Sequence, residues 1–96
     1  MKQTHIIIIT YTQPTHIIDE IRPKHRKFLD RGYEAGLFIA SGPNSDKNGG
    51  VILASGDLNE IKQLIKQDPF VIENVASYSY HSFDPIKYAT AYQVFI

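Results

Sequence analysis

Between Gln3 and Tyr11 the chain carries the run Thr4-His5-Ile6-Ile7-Ile8-Ile9-Thr10-Tyr11, and the fold follows from how its four isoleucines are covered. A β-branched run of this length is too short for a helix and too apolar for a strand with one wet face, so it reads as a central strand covered on both sides. Successive side chains of a strand alternate between faces, which sets Ile6 and Ile8 on one side of the sheet and Ile7 and Ile9 on the other. Apolar burial is therefore demanded on both faces.

Working outward, Pro14 and Thr15 punctuate a turn, after which Ile18, Ile21, His25, Phe28, Gly32 and Ala35 recur at spacings of three and four. That period predicts a first helix ending at Gly36. Pro23 lies inside the pattern and has no amide proton, so the helix is expected to start near it or bend there, with residues 15 to 21 as an irregular lead-in or separate turn. Leu37 to Ser41 and Gly50 to Ser55 are short apolar stretches separated by Gly42-Pro43 and the turn-rich Asn44 to Gly49, the pattern of a hairpin. Asp57 is a good N-cap with Glu60 three residues on, and Leu58, Ile61, Leu64 and Ile65 form the apolar stripe of a second helix over about 57 to 67. Asp68-Pro69 forbids its continuation. Val75 to Phe83 supplies a last strand rich in Tyr and Ser, followed by Asp84-Pro85 and a tail ending in the apolar Tyr92 to Ile96.

The resulting order, strand, helix, strand, strand, helix, strand, is α+β and matches the ferredoxin-like βαββαβ arrangement, an antiparallel sheet with both helices on one face. Two helices protect one face only. A second copy of the sheet is the simplest cover for the other, so a homodimer or a higher even-numbered oligomer is expected.

Composition narrows the function classes. Ninety-six residues fit a single domain, with a core over 1 to 83 and a C-terminal tail over 84 to 96. Size scaling leaves roughly 35 to 40% of such a short chain's surface uncovered, a further reason to expect a partner subunit. Ten Lys and Arg balance ten Asp and Glu, which argues against nucleic acid or an anionic membrane as partner. The third strand, Gly-Gly-Val-Ile-Leu-Ala-Ser, also lacks the aromatic and basic residues with which ferredoxin-like sheets bind RNA. No cysteine is present, which removes disulfides, thiolate nucleophiles and zinc ribbons and makes the cytoplasm the default compartment. The longest aliphatic run, Ile6 to Ile9, is far below the roughly 20 residues of a membrane span, and the N-terminus lacks a signal-peptide pattern. His5, His16 and His81 are scattered over a strand, a loop and a strand end without ligand spacing, so no metal and no cofactor is expected.

Two side chains stand out chemically. His25 follows Ile21 by four residues and precedes Phe28 by three, so its ring points with the apolar stripe towards the sheet. Asp68 follows Leu64 by four and Ile61 by seven, which sets its carboxylate on the inward stripe of the second helix as that helix ends. The helices lie side by side in this fold, so the pair can meet beside Ser41-Gly42-Pro43. A partly buried imidazole next to a carboxylate is a natural proton-transfer pair, because the acid orients the ring and favours its charged form while burial favours the neutral one. An inward His is often just a satisfied core residue, and Asp before Pro commonly serves a turn at a helix end. Tyr78, Tyr80, Tyr88 and Tyr92 read as packing or interface residues, with Tyr78 and Tyr80 sharing a strand face at the edge of the pocket.

The stretch Arg22-Pro23-Lys24-His25-Arg26-Lys27-Phe28-Leu29, then Tyr33-Glu34-Ala35-Gly36, Ala40-Ser41-Gly42-Pro43, Gly49-Gly50-Val51-Ile52 and Asp68-Pro69-Phe70, resembles the YCII-related (YciI-like) proteins in order and spacing. The resemblance runs from the first strand to about Phe83 and implies a dimeric α+β barrel of ferredoxin-like subunits. It implies an active site around His25 and Asp68, with Ser41 lining the same pocket, and substrate contacts are expected from Ser41, Gly42, Pro43 and Phe70. Relatives of this barrel include isomerases and dehydrochlorinases acting on enolisable or phenolic rings. The expectation is a cytoplasmic enzyme of proton-transfer type acting on a small organic substrate. The alternative is a non-catalytic ligand-binding or scaffold dimer, in which the same pair ties one helix to the other.

Overall fold

The computed structural model describes all residues from Met1 to Ile96. Strand β1 (Thr4–Tyr11) lies inside a four-stranded sheet of order β2-β3-β1-β4, where β2 is Phe38–Pro43, β3 is Gly49–Ser55 and β4 is Ala76–Phe83. Every pairing is antiparallel, and Ile7 stands opposite Ile52 of β3 and Tyr80 of β4. That register aligns Ile7, Ile9, Ile52, Ala54, Tyr78 and Tyr80 on one face. Helices α1 (Thr15–Glu34), α2 (Leu58–Ile65) and the short α3 (Pro69–Ile72) cover this face, and Ile18, Phe28, Ile61, Ile65 and Phe70 complete the core. The chain has the ferredoxin-like α+β fold. No helix is long and apolar enough to cross a membrane.

The opposite face carries Ile6, Ile8 and Leu53, half-buried, with Val51 and Phe83 exposed. Only its Thr4 end is closed: the tail forms a 3-10 helix over Thr90–Phe95, and the Tyr92 hydroxyl meets Thr4 Oγ1 at 2.7 Å.

Two boundaries differ from the sequence reading. Helix α1 runs unbroken from Thr15 through Pro23, so residues 15 to 21 are helical and His16 sits in the first turn instead of a loop. Proline costs one backbone hydrogen bond there. Burial of Ile18 before it and of His25, Phe28 and Gly32 after it, on one continuous stripe, offsets that cost. The expected end holds: Gly36, at φ 72, follows Ala35, and the amides of Gly36 and Leu37 return to the carbonyls of Tyr33 and Gly32. The second helix is shorter than expected. Asp57 caps it as predicted, accepting from Asn59 N at 2.8 Å and Glu60 N at 3.2 Å, but it ends at Ile65. Asp68 is consequently not on its stripe. It caps α3, where Pro69 occupies the first turn and needs no donor.

Candidate active site

The cap position aims Asp68 inward. Its Oδ1 accepts from the Phe70 amide at 3.0 Å, which holds the carboxylate against α1. There the His25 Nδ1 lies 2.8 Å from Oδ1 and 3.0 Å from Oδ2. The Tyr78 hydroxyl of β4 donates to Oδ2. Asp68 is fully buried at 0% exposure, and donors from α1, α3 and β4 satisfy it. Burial first, and the neighbouring Asp68 carboxylate second, push the Tyr78 phenol far above its usual range, so it stays a donor. Tyr80 is raised by the same two causes in the same order.

An ionised carboxylate only accepts, so Nδ1 of His25 must carry a proton. In the neutral ring, Nε2 is then the free lone pair. Nε2 has no hydrogen-bond partner, whereas every buried side-chain nitrogen and oxygen in the protein has one, so Nε2 is an atom through which the 8%-exposed His25 reaches its surroundings. The ring is held flat against Phe70, centroids 4.0 Å apart and planes 12° apart, and Tyr11 meets the other aromatic edge-on at 5.7 Å.

His25 borders a cleft of about 230 Å³. Its walls are Arg22, Arg26 and Leu29 of α1, Ile9 and Tyr11 of β1, the hairpin residues Ser41 to Pro43 and Gly50 to Ile52, and Phe70. The Ser41 hydroxyl is already engaged, 2.8 Å from the Tyr33 hydroxyl. Arg22 pairs with Asp19 one turn earlier, and Tyr11, then Asp19, raise the guanidinium's hold on its proton. No three His, Asp or Glu side chains gather into a potential metal cage. His5 is spent structurally, bonded at 2.7 Å to both Ser82 Oγ and the Gly56 carbonyl.

The structure thus brings His25 and Asp68 into contact, and Ser41, Gly42, Pro43 and Phe70 border the cleft with His25. Asp68 itself does not border it. Sequence reasoning missed Tyr78 as a partner of Asp68, and Tyr11, Arg22 and Arg26 as walls. Signals existed for the latter: Tyr11 lies two residues beyond Ile9 on the same strand face, and Arg22 and Arg26 are three before and one after His25 on the helix.

The family model of the YCII-related domain matches residues 4–84. Comparison with curated proteins finds no match. Among solved structures, the fold is similar to that of the 5-chloro-2-hydroxyhydroquinone dehydrochlorinase TftG from Burkholderia phenoliruptrix AC1100, in complex with 2,5-dihydroxybenzoquinone. The TM-score is 0.67 at 14% identity, over 84% of this chain and 93% of that one. It is also similar to SnoaB, a cofactor-independent oxygenase from Streptomyces nogalater, with a TM-score of 0.52 at 12% identity over 93% and 97% of the two chains. At these identities the likeness is one of fold.

Proposed function

This chain belongs to the YCII-related family, and on that premise we propose that it is a small-molecule enzyme that moves a proton through His25. The observation that carries the reading is the division between the two ring nitrogens: Nδ1 is committed to the buried Asp68, and Nε2 is unpartnered on a ring that borders a cleft. In this reading Nε2 takes a proton from an enolisable carbon or a ring hydroxyl and returns it to another atom or to the leaving group. Asp68 holds the tautomer and stabilises the imidazolium as it forms, while Tyr78 and the Phe70 amide hold Asp68. Ser41 and the Gly42 backbone offer polar contacts to substrate, and Pro43 and Phe70 an apolar wall.

The cleft's size supports a one-ring substrate, since a cavity of about 150 Å³ already holds benzene and this one offers about 230 Å³. The ring ligand of TftG is of that class. The reaction would be of isomerase, lyase or dehydrochlorinase type. A chain without cysteine suits the cytoplasm, which we propose as its compartment. We propose a homodimer or higher even-numbered assembly because Ile6, Ile8, Leu53, Val51 and Phe83 leave the second sheet face apolar and incompletely covered.

The test is wash-in of deuterium from D2O into a panel of small enolisable ring compounds, together with chloride release from chlorinated hydroquinones. Catalysis is expected from the wild type and a loss of about 100-fold or more from His25→Gln. A fully inert wild type, or an equally active His25→Gln, rejects the reading. One observation favours a second: donors from α1, α3 and β4 meet on Asp68, so the same cluster can act as an internal clasp in a ligand-binding or scaffold dimer. That reading expects no exchange at all and a loss of stability in every variant of the cluster.

A further inference from the structure

The cleft has a sign. Its walls include two guanidinium groups, Arg22 and Arg26, and not one Asp or Glu. The chain as a whole is neutral, so this is a local arrangement and not a by-product of a basic protein. The two arginines stand four residues apart on α1, which places them one above the other on the helix surface with His25 between them in sequence. Arg22 shares its charge with Asp19 and is only partly exposed, whereas Arg26 has no ion-pair partner and is exposed at the cleft. Asp68, the nearest buried acid, does not border the cleft, and its oxygens are taken up by donors from α1, α3 and β4.

We propose that Arg22 and Arg26 form an anion clamp beside His25, and that the substrate is a one-ring organic oxyanion, a carboxylate or an ionised ring hydroxyl. The proposal deepens the proton-transfer reading and rests on it for the chemistry, though not for the binding. A guanidinium presents planar paired donors that match a carboxylate or two neighbouring ring oxygens. Removing a proton from an enolisable compound spreads negative charge over its oxygens, and fixed cations next to the base stabilise that charge where it develops. The remaining walls suit a ring: Ile9, Leu29, Ile52 and Phe70 are apolar, and Tyr11 stands beside Arg22.

The test measures equilibrium binding by calorimetry, with no turnover involved. The probes are benzoate against benzamide, and 2,5-dihydroxybenzoquinone, ionised at neutral pH, against uncharged hydroquinone. Each is titrated into the wild type, Arg26→Met and Arg22→Met at low and high salt. At least one anion is expected to bind about tenfold or more tightly than its neutral counterpart, and to lose about tenfold in Arg26→Met, while the neutral compounds bind all three proteins alike. Which anion binds separates carboxylate from ring-oxyanion recognition. Equal binding of anion and neutral probe, anion affinity unchanged in both variants, or no anion binding at millimolar concentration overturns the clamp. Anion-selective binding without any deuterium wash-in keeps the clamp and rejects proton transfer. Wash-in confined to neutral compounds that bind as well as anions does the reverse.

Discussion

Replacing Asp68 with asparagine keeps the shape of the side chain and removes its charge, and the hydrogen-bond geometry states what must follow. The Phe70 amide requires an acceptor at Oδ1, so the variant's carbonyl oxygen takes that position and its NH2 group replaces Oδ2. That NH2 then lies 3.0 Å from His25 Nδ1 as a donor beside a donor. The carbonyl at Oδ1, 2.8 Å away and shared with the Phe70 amide, is a weaker, uncharged acceptor, so the carboxylate's hold on the Nδ1–H tautomer is loosened. The Tyr78 hydroxyl can rotate and accept from the new amide, so no buried group is orphaned. Three charge-assisted bonds fall to neutral strength, about 1 kcal/mol each, and the relief of no longer burying an ion returns part of this. The net loss is about 1 to 3 kcal/mol, and each kcal/mol lowers the melting temperature of a domain this size by about 4 to 8 °C. The Asp68→Asn protein therefore folds. Its proton-transfer activity is expected to fall by about 100-fold or more, because the imidazolium that forms loses its carboxylate partner and the Nδ1–H tautomer is no longer enforced by a charge. The assays are thermal denaturation, 15N NMR of the His25 ring nitrogens and deuterium wash-in. An Asp68→Asn protein that keeps the Nδ1–H tautomer and full wash-in while losing stability would refute the catalytic reading and leave Asp68 as the cap of α3.

Three further outcomes follow from the same contacts. Tyr78→Phe removes one donor from a fully buried carboxylate and should cost about 1.5 to 3 kcal/mol in urea denaturation, whereas a change below about 0.5 kcal/mol would mean the hydroxyl does not hold Asp68. The raised phenols of Tyr78 and Tyr80 favour the native state while they are protonated. Their contribution is complete below the ordinary tyrosine range near pH 10 and is lost as pH rises beyond it, so stability should decline above about pH 10, with the Tyr78 ring ionising only on unfolding and the Tyr80 ring titrating later than a free phenol. Absorbance of phenolate in native and unfolded protein checks this, and a Tyr78→Phe variant with an unchanged late-titrating signal would count against it. Light scattering should give a mass at least twice the 10.9 kDa of one chain, and Leu53→Lys on the open sheet face should shift it towards the single chain; a monodisperse monomer in the wild type would leave that apolar face without its expected cover.

Much of this molecule is legible in the order of its residues, because period and punctuation are local properties. The run of isoleucines states a two-faced central strand, the three-and-four spacing through His25 states which way that ring points, and Asp57 and Gly36 mark helix ends by their own chemistry. Local signals failed where burial outweighed them. Pro23 announces a break that the stripe from Ile18 to Gly32 overrides, and Asp68 looks like the end of one helix when it is the start of another. The site itself belongs to the tertiary structure. His25 and Asp68 are 43 positions apart, and their contact depends on α3 lying against α1. Tyr78 reaches Asp68 only because the β1–β4 register sets it opposite Ile9 on the helix-covered face. A one-residue slip would turn that hydroxyl to the other side of the sheet, so a pairing between strands, which no single stretch of sequence specifies, decides which tyrosine holds the acid.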